Sequence, residues 1–454
     1  NFSNTNMLAY ALNLDVKSLQ LGDILQNPEI GELSMSVNSK GKGNSIYDLT
    51  AKFSSSIDSI RYADYTYSKV ELEGELKNGK GDLKFNYDDD NLELNLISKI
   101  DLDSLSSQID TKIDLQGMKT KKLGLTEKDL RAKIMANLQF KGNLDNFSLN
   151  AQLKDGLVIY EQEQYNVDDV NFTSTLEATQ TKATFSSSFL NFNLNANASI
   201  KNITKAITTH FERQLNSDFS KLGTTADSSV KLDADLSFTE TPILSEVFIE
   251  GVQEMDTLRS NLHFDERKQT LSVSANLPYL NFNDDEITGL QFELDSGKNA
   301  FTFNFGFDNV KAAPLNVAQT KLTGAFKNKR LDVNLKALKN DEVFFNSLLS
   351  TTFENDELYR IKLSPKNLIL NGAPWSVPEN NEIVYQNDAM QISDFVLNRN
   401  DQEIKLTDDL EVKKTHLGLD FKNFKLSSII NYFNPDEALA NGNLSGEFVI
   451  IEPF

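Results

Sequence analysis

The sequence predicts an all-β protein built on antiparallel sheet, and three observations carry that expectation. Apolar and polar residues alternate along most of the chain, the pattern of strands with one face buried and one face wet. Short stretches rich in Asn, Gly and Asp separate the alternating runs, where hairpin turns belong. Only 9 of the 454 residues are proline, so few positions deny a sheet its ladder hydrogen bonds.

In chain order, "KSLQLGDIL" (17–25) reads as a single turn or short helix. "DLKFNYD" (82–88) puts Leu83, Phe85 and Tyr87 on one strand face, and "LELNLIS" (92–98) does the same with Leu92, Leu94 and Leu96. Turns are expected at "KNGKG" (77–81), "DDDN" (88–91), "KGN" (141–143), "KDG" (154–156) and "KNKR" (327–330). "FNLNANASI" (192–200) is a strand, and "ITKAITTHFERQLNSDF" (203–219) is an amphipathic helix on Ile203, Ala206, Ile207, Phe211 and Leu215. Strands follow in "VKLDADLSF" (Leu232, Leu236), "LSVSANL" (Leu271, Val273), "LQFELDS" (Leu290, Phe292) and "LDVNLKAL" (331–338).

"FTFNFGF" is the sharpest of them, with Phe301, Phe303, Phe305 and Phe307 on one face and Thr302, Asn304 and Gly306 on the other. Four phenyl rings left in water would forfeit about 6–12 kcal/mol, so they must meet a core or a ligand. Three prolines around Trp375 mark the clearest irregularity, and "KLSSIINYF" (425–433) reads as another short helix. Composition does not shift along the chain, so residues 1–454 are expected to form one repetitive body without a firm internal boundary.

Composition excludes several function classes. With 45 basic against 66 acidic residues the net charge is −21, a field that repels nucleic acid and anionic headgroups. Cysteine is absent, which removes disulfides, thiolate metal sites and thiol nucleophiles. No run approaches a membrane-spanning helix, and the start at Asn1 without a signal pattern reads as a processed or partial chain whose anchor lies elsewhere.

Candidate chemistry dissolves on inspection. Gly74, Gly79 and Lys80 share the spacing of a phosphate-binding loop, but Gly81 stands where Ser or Thr should hold magnesium. Asn78-Gly79 between two alternating runs is a hairpin turn. His210, His263 and His416 lie far apart without a second metal ligand nearby. "DDD" (88–90) and "NDDE" (283–286) lack a calcium-loop pattern and read as solvated hairpin tips. Ser445 sits one position late for a nucleophile elbow. The chain is not expected to be an enzyme, and no cofactor is implied.

"LDFKNFKLSSIINYFNPDEALANGNLSGEF", "LQFKGNLDNFSLNAQLKDG" and "LNGAPWSVPENNEIVYQNDAMQISDFVLNRNDQEIKL" resemble the TamB branch of the AsmA-like superfamily, the last its Bacteroidetes form. The resemblance covers most of the chain and rests on a rhythm of strands and glycines. It implies an elongated antiparallel sheet curled into a half-pipe with an apolar interior. The implied role is a periplasmic bridge between inner and outer membrane that carries phospholipid and works with an outer-membrane barrel of the TamA/BamA type. On that reading Leu83, Phe85, Leu92, Leu94, Leu232, Leu236, Leu271, Val273, Leu290, Phe292 and the four phenylalanines of 301–307 line the lipid groove. Ser59, Ser104 and Thr257 stand in Asp-Ser/Thr-aliphatic sequences like the O-glycosylation signal of Bacteroidetes envelope proteins. Three alternatives stay open: an ordinary sandwich core, an outer-membrane barrel, and a non-enzymatic scaffold for outer-membrane protein assembly.

Overall fold

Alternating side chains fix which face of each strand is dry, and antiparallel pairing then aligns the dry faces of neighbours. The computed structural model describes residues 8–63, 65–215, 229–298, 300–355, 358–386, 389–409, 416–437 and 439–451. It is nearly all β: a long antiparallel sheet not closed into a barrel, and a separate four-stranded sheet. The chain divides into two compact units, residues 1–200 with 241–248 and residues 201–240 with 249–454. Nothing in the composition marks that division.

In the first unit, strands from Ala9–Gln20 to Leu190–Ala196 pair antiparallel with their neighbours. The turn at 77–81 forms as the sequence predicts, with Asn78 at φ 53° and Gly79 at φ 75°, the left-handed pair of a type I′ hairpin. "KDG" behaves differently. Strand Phe147–Tyr160 runs straight through it, and the register against Arg131–Gly142 slips between Lys154 and Leu157. Asp155 at φ 50° absorbs the extra residues, so the local turn chemistry makes a bulge where continued pairing on both sides outweighs a reversal. Residues 120–130 and 241–248 meet at one end of this unit, where Lys128 Nζ donates to the Val247 carbonyl, and Leu123, Leu130 and Val247 are buried.

The second unit carries strands Lys231–Phe238, Leu258–Asp265, Thr270–Phe282, Asp285–Ser296, Ala300–Phe307, Thr320–Lys327, Arg330–Lys339 and Glu342–Asn355, paired in that order. Its largest core lies in the irregular stretch around Trp375. Leu363, Leu368, Leu370, Trp375, Val377, Phe395, Leu397, Ile404 and Phe424 pack together there, supplied by the long sheet (Leu363, Leu370), by loops and by the four-stranded sheet. Asn381, fully buried, bonds the backbone of Leu363 from both sides (Oδ1 from N–H at 2.8 Å, Nδ2 to the carbonyl at 2.8 Å) and the Pro378 carbonyl at 2.6 Å. The prolines interrupt the strand pattern, and the turns they make bring the apolar residues inward.

The helical stretches form, with shifted bounds. The first is Leu21–Leu25, since residues 17–20 finish strand Ala9–Gln20. The second is Ile200–Leu215, and positions 216–219 of the predicted helix lie outside the described residues. The third is Ser427–Ile430.

Candidate apolar binding face

Strand Ala300–Phe307 lies between Asp285–Ser296 and Thr320–Lys327, so Phe301, Phe303 and Phe305 have cross-strand partners on both sides and Phe307 on one. Phe305 faces Phe292 and Leu322, Phe303 faces Leu294 and Gly324, Phe301 faces Ser296 and Phe326, and Phe307 faces Thr320. The register carries these pairs onward as rows across the sheet. One row runs Leu236, Ser260, Ala275, Phe292, Phe305, Leu322, Leu335. The next runs Ala234, Leu262, Val273, Leu294, Phe303, Gly324, Val333. A third begins Leu232, Phe264, Leu271, Ser296, Phe301, Phe326. No charged residue stands in any of them. Leu290, paired with buried Leu277, continues the same face along its strand.

Ten of the predicted groove positions therefore share the face around Phe303, while Leu83, Phe85, Leu92 and Leu94 belong to the first unit. Coverage separates the ten. Leu232 and Leu271 are buried at 5% and 4% exposure, under a helix that buries Ile203, Ala206 and His210 and sets His210 against Phe264. The opposite margin is covered by residues 426–437. Tyr432 packs its ring at a tilt against Phe345 and reaches the Thr320 hydroxyl at 3.2 Å, and Ala337 is fully buried in the same row as Thr320 and Phe345. Between these covers Phe292 and Phe303 are half-buried and Phe305 is 39% exposed. Phe301 stacks on Phe326 with centroids 5.1 Å apart, and the ring contacts continue through Phe353, Tyr359 and Tyr385.

Gly324 explains how Phe303 lies. A Cβ there would stand 2.0 Å from Phe303 Cε1 and 2.3 Å from Cζ, so the ring covers the glycine directly opposite. The first unit repeats the device. A Cβ on Gly74 would meet Phe53 Cζ at 2.4 Å and Leu83 Cδ2 at 2.6 Å, with Phe53 and Leu83 its two cross-strand partners. The sequence places Gly74 in a false phosphate-loop spacing and gives Gly324 no motif at all. The signal was Gly within an alternating strand, a mark of close approach.

Leu83, Phe85, Leu92 and Leu94 are all half-buried on one face of the first unit. Tyr87, beside Leu94 in the ladder, is 1% exposed, and its hydroxyl donates to Asp89 Oδ2 at 2.7 Å. Tyr65 donates to the same oxygen, and the N–H groups of Asn91 and Leu92 bond Oδ1, each at 2.8 Å. Partial burial of Asp89 favours its neutral form, but the bonds from Tyr65, Tyr87, Asn91 and Leu92 outweigh it and hold the carboxyl below the ordinary range. Burial, then the bond to Asp89, pushes the Tyr87 hydroxyl well up. Of "DDD", then, Asp88 and Asp90 are exposed as a solvated tip requires, while Asp89 organises the turn.

Hollows also open on the polar face. Two in the first unit, of about 520 and 560 Å³, present Ile97, Lys112, Asn137, Gln139, Asn150 and Gln152 among others, side chains that alternate with the apolar set. His210 is buried with Nε2 2.7 Å from Ser296 Oγ, and His263 pairs with Asp233 on the surface. Among the described residues no cluster of three or more His, Asp or Glu could hold a metal, and no helix is long and apolar enough to cross a membrane. Of the three glycosylation-like positions, Ser104 is exposed in the loop after strand Leu92–Asp101. Ser59 is half-buried within strand Thr50–Tyr62, and Thr257 bonds Thr239 at 3.1 Å.

Fold and face together define the class: a nearly all-β protein on a long antiparallel sheet, with one face apolar row upon row. No family model, curated protein or solved structure matches the chain.

Proposed function

We propose that this chain is a non-enzymatic, bridge-like segment of the cell envelope that carries phospholipid acyl chains along its apolar sheet face. In this reading it works in the periplasm between inner and outer membrane, beside an outer-membrane barrel of the TamA/BamA type, and the sheet curls as a half-pipe around the acyl chains. The observation that carries the proposal is the register: uncharged rows align strand after strand, and around Phe303 and Phe305 they stay half-open between two covers. A sandwich core would bury such rows against a second sheet. Hydrocarbon can occupy them without being asked to leave a polar partner unpaired.

The test has two parts. Protein purified from an envelope-containing host in mild conditions should carry phospholipid by native mass spectrometry. Phe303→Asp with Phe305→Asp should abolish lipid photo-crosslinking at and beyond residue 303 while circular dichroism stays near wild type, because half-open positions let both carboxylates reach water. Unchanged crosslinking would remove these positions from any lipid path, and global unfolding would make them core. Lipid-free protein at every stage would overturn transport and leave the same fold as a scaffold for outer-membrane protein assembly.

A further inference from the structure

Two β-bulges stand side by side in the first unit, one on each flank of strand Arg131–Gly142. On one flank Gln116 and Gly117 oppose Lys133 alone. On the other, Asp155 and Gly156 oppose Ile134 alone. The second bulge re-aims the residues that follow it. Leu153 pairs with Ala136 on the apolar face, whereas Leu157 pairs with Lys133 and Ile159 with Arg131, on the polar face. Two aliphatic side chains, both half-buried, therefore stand directly beside basic ones.

Leu157 and Ile159 form one wall of a hollow of about 330 Å³, with the Gln116-Gly117 bulge in its lining. Gly117 keeps it open: a Cβ there would meet nothing within 4 Å, so a larger side chain would occupy the space. Lys119, Arg131 and Lys133 line the hollow, and Lys119 pairs directly with Arg131 across their strands. Lys119 Nζ donates to the Asp90 carbonyl at 2.6 Å, which holds the ammonium and leaves two of its protons for a ligand. Asp89, Asp90 and Glu93 bring as many carboxylates as there are cations. Asp89 is engaged by Tyr65, Tyr87 and the turn N–H groups, so Asp90 and Glu93, both exposed, are the acids a ligand would meet.

The geometry points to a small zwitterion as the ligand of this hollow: a phosphodiester and an ammonium on a short linker, the chemistry of a phosphoethanolamine headgroup. A tetrahedral phosphate offers oxygens to several donors at once, and Arg131 supplies a bidentate fork beside the two lysines. The ammonium goes to Glu93 and Asp90, and the linker lies on Leu157 and Ile159. A simple anion would face two carboxylates without compensation, and a simple cation three basic groups. Only a ligand carrying both charges complements the lining. Arg131, Lys133 and Glu93 lie on the opposite face from Leu94, so the site stands whether or not the apolar rows carry lipid.

The experiment titrates the full chain at fixed ionic strength, read by ligand-observed NMR, with four probes. Two are zwitterions, glycerophosphoethanolamine and dihexanoyl phosphatidylethanolamine below its micelle concentration; two carry a single charge, dimethyl phosphate and ethanolamine. Zwitterion should bind about tenfold or more tightly than either single-charge probe. A severalfold gain for the lipid over glycerophosphoethanolamine assigns the ligand to a lipid headgroup, and equal affinity assigns it to a free headgroup compound. Arg131→Gln should weaken zwitterion binding about ten- to a hundredfold. Glu93→Gln should weaken the zwitterion and strengthen dimethyl phosphate, a crossover that a merely structural role would not produce. Gly117→Leu should fill the hollow and abolish binding with circular dichroism unchanged; if it folds poorly, the Arg131 and Glu93 variants carry the test. Equal affinity for all four probes, no binding of either zwitterion, Arg131→Gln binding like wild type, or Glu93→Gln without the crossover would each overturn the proposal.

Discussion

Gly324→Ala offers the most demanding check on how the apolar face is assembled. The new methyl would stand 2.0 Å from Phe303 Cε1, where ordinary carbon contacts begin near 3.4 Å, so the ring must retreat by roughly 1.5 Å. Phe303 is held between Leu294 and Gly324 and has little lateral room, so overpacking should cost about 1–3 kcal/mol. Phe303→Ala alone removes a half-buried ring and should cost about 1–2 kcal/mol. Combined, the clash has no partner, so the double variant should be no less stable than Phe303→Ala. That gives a favourable coupling of about 1–3 kcal/mol. The assay is urea unfolding followed by fluorescence of Trp375, the sole tryptophan, 4% exposed in the core of the same unit. Additivity within about 0.5 kcal/mol would show that the ring does not lie across Gly324.

Other expectations follow from single contacts. Asp89, whose folded pKa is depressed, contributes stability above its unfolded pKa that is lost as pH falls through the folded value; acid unfolding of the first unit should therefore be less steep in Asp89→Asn, and identical acid limbs would contradict the turn-organising role. Asn381→Ala leaves the buried N–H and carbonyl of Leu363 without that partner and should cost about 2–4 kcal/mol in the Trp375 assay; a loss under 1 kcal/mol would count against it. If the chain is glycosylated in its native host, intact-mass and peptide mapping should find the glycan on Ser104 and not on Ser59 or Thr257, since an enzyme needs an exposed loop. At −21 the protein should not float with anionic liposomes at low salt; strong flotation would refute that electrostatic argument.

Much of the architecture was legible in the residues themselves. Period-two alternation is a property of the extended backbone, so the strands through Leu83, Leu232, Leu271 and Phe303 follow from local sequence. Asn78-Gly79 likewise encodes its own turn, because only residues at ease with positive φ fit there. Alternation also says which side chains share a face, and the ten positions around Phe303 do share one. Alternation does not say which strand is the neighbour, where the register slips, or what lies above the face. Those are set by contacts between residues far apart in the chain. Only the tertiary structure could make Gly324 the seat of Phe303, turn "KDG" into a bulge, and gather the proline-broken stretch around Trp375 into a core. It alone separates Leu271, covered by a helix some sixty residues upstream, from Phe305, left half-open. Both are apolar residues in alternating strands, and burial is decided by what packs on them, which no local pattern records.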